Sequence, residues 1–169
     1  MNYINSLSFE KILDFFQRNY LKNRTIVTPE IESILDDIAS TTKLAILKHK
    51  YPSGNVYSTW EIPESWEVRT AYLKDSKDRL IASYNEHPLF VSPYSCSVDE
   101  KITKEELRKH VFFEEKQPDA FAYNWRYATD YNLRLKDWGI SIPYNRFMEL
   151  DDGEIYHIKI DIISKDGEM

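Results

Sequence analysis

The chain has a single cysteine, Cys96, so no disulfide can form within it, and the fold must rest on burial and hydrogen bonding. Four glycines and seven prolines in 169 residues leave little room for flexible linkers, which argues for compact structure throughout. No run approaches the roughly 18 apolar residues that a membrane-spanning helix needs. The start, "MNYINSLSFEKILDFF", has neither a basic leader nor a sustained apolar stretch, so a cytoplasmic location and no membrane partner are expected. Basic residues are scattered and the net charge is −6, so there is no contiguous positive field to hold a phosphate backbone, and nucleic acid is not an expected partner. Histidines are few and far apart: His49, His87, His110 and His157 stand in unrelated contexts, with neither HxxxH nor HxH spacing, so no metal ligands are assigned.

What is present reads as α+β. Phe9, Ile12, Leu13 and Phe16 recur at the i, i+3, i+4, i+7 spacing of an amphipathic helix. A second helix is expected from Thr28, with Thr28 as cap, Pro29 at the first position, Glu30 and Glu32 at the positive end of the dipole, and Ile31, Ile34, Leu35 and Ile38 as its stripe. After Lys43 the apolar residues alternate or cluster in short runs between turn signals such as "YPSGN", "KDSKD" and "NEHP". The alternation predicts a strand with Trp66, Val68, Thr70 and Tyr72 on one face. It predicts another with Tyr156, Ile158, Ile160 and Ile162 inward against His157, Lys159 and Asp161. Thr103 and Glu106 have capping-box spacing, and Ile102 and Leu107 that of a hydrophobic staple, which marks one short helix between strands. The expectation is two N-terminal helices followed by a mainly antiparallel, meander-like β domain with one short helix.

Chemistry-bearing residues are sparse, and no catalytic residue is assigned. Cys96 could act as a nucleophile only beside a histidine, and a lone thiol is more often a buried apolar group. The carboxylate pairs "EE" at 105 and 114 and "DD" at 36 and 151 fall in turn and helix-surface contexts and read as solvated charge. The stretch "NWRYATDYNLRLKDWGISIPYN", residues 124 to 145, combines rings and guanidinium groups of the kind that make binding hot spots. Trp125, Arg126, Tyr131 and Arg134 are expected to be partly exposed around a groove, whereas Trp138 and Ile140, in "WGISI", are expected to be buried. The alternative for the stretch is a loop packed over the sheet.

The ordered motifs "NRTIV" (23–27), "YPSG" (51–54), "TWEIPESWEVRTAYLKD" (59–75), "HPLFVSPYS" (87–95), "KEELRKHV" (104–111), "QPDAFAY" (117–123) and "DWGISIPYN" (137–145) resemble those of bacterial aminopeptidase-like proteins, many of them in polysaccharide gene clusters. That resemblance covers nearly the whole chain. It implies a zinc-aminopeptidase-like core interrupted by a β-rich domain of unknown function, with residues 1–49 as the start of the core and 50–169 as the inserted-type domain. It also implies that the segments supplying zinc ligands lie beyond this chain. Zinc is therefore expected only in full-length members, with no cofactor here, and the partner would be a separately encoded peptidase-like core or a second copy. The competing expectation is a stand-alone α+β binding module that recognises a protein or a glycan.

Overall fold

A computed structural model describes residues 8–125, 130 and 132–169. The chain forms two compact units, one of Met1–Ser65 with Ser164–Met169 and one of Trp66–Ile163.

The first unit opens with helix α1, Phe9–Asn19, whose start is capped by Ser8 accepting from the Lys11 N–H. Helix α2, Pro29–Thr42, follows. Thr28 occupies the cap position and Pro29 the first turn as expected, but the Thr28 side chain makes no capping bond. The Ile31 N–H, one of the donors such a cap would serve, bonds the Thr28 carbonyl instead at 3.2 Å. Polar groups join the two helices: Arg18 forks onto Asp37 at 2.9 and 3.3 Å and also reaches Asp14, while Asn19 donates to Asp37. A two-stranded hairpin, β1 Val56–Tyr57 and β2 Trp60–Glu61, comes next. Tyr51 exchanges both backbone hydrogen bonds with Met169 at 2.9 Å, and Ser53 binds Gly167.

This unit has almost no core of its own. Among its described residues only Val27, Ile62 and Pro63 are buried aliphatic side chains, and α2 buries none. The stripe of α1 lies open, with Phe9 74% exposed, Phe16 60%, Leu13 45% and Ile12 41%. Leu47, Val56 and Leu44 are likewise exposed.

The second unit is built differently. Strands β3 (Ser65–Lys74), β4 (Leu80–Ser83), β5 (Val98–Thr103) and β8 (Ile155–Lys165) form one sheet in the order β4-β3-β8-β5, antiparallel in both outer pairs. The last strand sits in the interior of the sheet, so the sheet is not the meander that sequence order suggested. Its composition explains the placement: Tyr156, Ile158 and Ile160 are buried, alternating with half-buried His157, Lys159 and Asp161. On β3 the inward face changes. Trp66 is buried and Val68 packs on the core, but beyond them Ala71 and Leu73 are buried while Thr70 is exposed. Strict alternation through Thr70 and Tyr72 therefore fails in the second half of the strand.

Helix α3, Lys104–Arg108, starts with Thr103 accepting from the Glu106 N–H at 3.2 Å, as the capping-box spacing predicts. A parallel pair, β6 Val111–Phe112 with β7 Ile140–Ser141, follows. Pro143 then ends the "WGISI" strand and leads into a second short helix, α4, Tyr144–Met148. The core gathers Trp66, Leu73, Phe90, Tyr94, Leu107, Ile140, Ile142 and Ile158, with Trp138 only 7% exposed. Trp138 and Ile140 are thus structural, as their sequence context indicated.

Candidate functional site

The second unit presents an aromatic strip held from beneath by buried serines. Ser92, Ser95 and Ser141 are at most 2% exposed. A buried hydroxyl costs free energy unless paired, and each of these is paired. Ser141 Oγ accepts from the Ala122 N–H at 2.7 Å, and Ser92 Oγ accepts from the Asn124 side-chain amide at 3.3 Å. Ser95 Oγ donates to the Ser92 carbonyl at 2.6 Å and accepts from the Gly139 N–H at 3.2 Å. Residues 122 and 124 are therefore held to the unit, while Tyr123 and Trp125 are exposed. Tyr123 is 67% exposed and Trp125 60%. Phe121 is half-buried, stacked face to face on His87 with centroids 5.0 Å apart and 13° between planes.

Two described arginines, Arg146 and Arg134, are engaged within the fold. Arg146 forks both Glu86 oxygens at 2.8 and 2.5 Å, donates to the Ile81 carbonyl at 3.1 Å and lies over Phe121 at 5.8 Å. The guanidinium holds the Glu86 carboxyl below the usual carboxylate range. Arg134 is half-buried with its guanidinium 5.0 Å above the ring of Tyr94. Tyr94, fully buried, and Leu135 both take left-handed backbone conformations, φ 64° and 56°, and the Leu135 N–H donates to the Tyr94 carbonyl at 2.9 Å. Such conformations in non-glycine residues persist only where the surroundings impose them. Of the four residues singled out from sequence, Trp125 is exposed and Arg134 partly so, while Arg126 and Tyr131 lie outside the described residues. Tyr123 was missed, although the alternation Phe121, Tyr123, Trp125 is visible in "FAYNW".

The remaining chemical groups go to separate places. His110 stacks on Trp138 at 4.0 Å and places Nδ1 2.9 Å from the Trp138 carbonyl. His157 Nε2 lies 2.7 Å from Asp99, and His87 Nδ1 accepts from the Leu89 N–H. Cys96 is half-buried; burial, with the Asp137 charge, pushes its thiol up, the opposite of what activates a nucleophile. Among the described residues no three His, Cys, Asp or Glu side chains gather as metal ligands. An open groove of about 1040 Å³ runs between residues 75–81 and 146–156. Two of its carboxylates are engaged with the backbone: Asp75 accepts from the Lys77 and Arg79 N–H groups at 2.9 Å, and Glu154 from the Ser76 N–H at 3.3 Å. Among the described residues no helix is long and apolar enough to cross a membrane.

Taken together, the fold is α+β, and its best-built surface feature is a platform of rings. The chain belongs to the family described as Domain of unknown function (DUF2172), whose model matches residues 65–163. It is 28% identical over 146 residues, 86% of this chain and 32% of the relative, to a Clostridium acetobutylicum protein named "Putative polysaccharide biosynthesis protein with aminopeptidase-like domain". It is also similar to a crystal structure of a "putative peptidase" from the same organism, with a TM-score of 0.81 and 26% identity over 99% of this chain and 38% of that one. The chain thus spans about a third of the length of these relatives.

Proposed function

We propose that this chain is the N-terminal region of an aminopeptidase-like protein, in which the helices of the first unit complete a peptidase-like core and the second unit is an inserted domain that borders the substrate cleft. The observation that carries this reading is the open apolar stripe of α1 in a unit whose described residues bury few aliphatic side chains, Val27, Ile62 and Pro63. Fully burying a large apolar side chain stabilises by about 1.5–3 kcal/mol. Covering the exposed parts of Phe9, Ile12, Leu13 and Phe16 is then worth roughly 3–7 kcal/mol, comparable with the whole stability of a small domain. The length of the relatives supports the same reading, since about two thirds of each lies beyond the matched part. Catalysis is assigned to that further polypeptide, and hydrolysis of a peptide or amide bond is the reaction class the relatives' names suggest.

The test is metal analysis of the purified chain after dialysis, with assays on aminoacyl substrates in added zinc. The reading predicts little retained zinc and no hydrolysis. Near-stoichiometric zinc, with hydrolysis abolished by replacing any one of His49, His87, His110 or His157, would overturn it in favour of an independent metallohydrolase.

A further inference from the structure

We draw no further inference here: the strongest candidate, the cavity of about 330 Å³ in the first unit between the first turns of α2, residues 48–50 and residues 167–169, belongs to the uncovered face of α2 already read as the seat of a peptidase-like core, and nothing in the structure shows what else would fill it.

Discussion

Ser95→Ala removes one oxygen from the least accessible part of the second unit, and its cost can be worked out group by group. The hydroxyl is fully buried. It accepts from the Gly139 N–H at 3.2 Å and donates to the Ser92 carbonyl at 2.6 Å. The Ser92 carbonyl keeps a second donor, the Ser95 N–H at 3.1 Å, and so loses little. The Gly139 N–H loses the acceptor the structure gives it, in a place that water cannot enter without opening the core. An orphaned buried donor costs about 1–3 kcal/mol, so the expected destabilisation is about 2 kcal/mol. For a unit of about 100 residues that corresponds to a fall in melting temperature of roughly 8–16 °C. Ser141→Ala is the internal comparison: the donor it orphans, the Ala122 N–H, belongs to a half-buried residue that solvent can reach, so about 0.5–1 kcal/mol is expected. Urea unfolding followed by tryptophan fluorescence suits both variants, because Trp66 donates its indole N–H to the Ser95 carbonyl at 3.0 Å and reports on the site. A Ser95→Ala variant within about 0.5 kcal/mol of the parent, or no worse than Ser141→Ala, would refute the reasoning.

Two further outcomes follow from the same geometry. Arg146 holds the Glu86 carboxyl low, Arg18 does the same for Asp37, and His157 and Lys159 for Asp99. Because the folded-state values are depressed, this stabilisation is present above the ordinary carboxylate range of about pH 4 and is lost as pH falls through the folded values. Acid titration followed by circular dichroism should therefore show unfolding beginning below about pH 4, and a protein as stable at pH 2 as at pH 7 would contradict it. In the first unit, a Cβ at Gly167 would lie 2.9 Å from both Ser65 Cβ and Val27 Cγ1. Gly167→Ala should therefore cost about 1–3 kcal/mol and speed exchange of the Tyr51 and Ser53 amides; unchanged exchange rates there would show that the contact relaxes freely.

Much of this organisation was legible in the residues, and the failures have physical causes. Helix α1, the Thr103 cap and the face of β8 follow from short-range spacing, so local pattern suffices for them. The change of face on β3 does not: Trp66 and Val68 share one parity with Thr70 and Tyr72, and only the contacts made by Ala71 and Leu73 in the folded sheet break the alternation. The place of β8 between β3 and β5 is a long-range pairing that no local signal encodes. For the site, exposed Trp125 was found because rings beside arginines draw attention. Ser92, Ser95 and Ser141 were not, because nothing local marks a hydroxyl that will be buried: Ser92 stands beside Pro93 like a turn residue, and Ser141 alternates with Ile140 and Ile142 in a strand. Arg146 is engaged with Glu86 and the Ile81 carbonyl inside the unit.

The most direct test of the peptidase-core reading is hydrogen exchange on the isolated, monomeric chain. The open stripe of α1 and the absence of buried side chains on α2 predict that amides of residues 8–42 exchange by local opening, far faster than those of β3 and β8. A strict monomer in which α1 and α2 are as protected as those strands would show that the helices need no further cover, and would contradict the account.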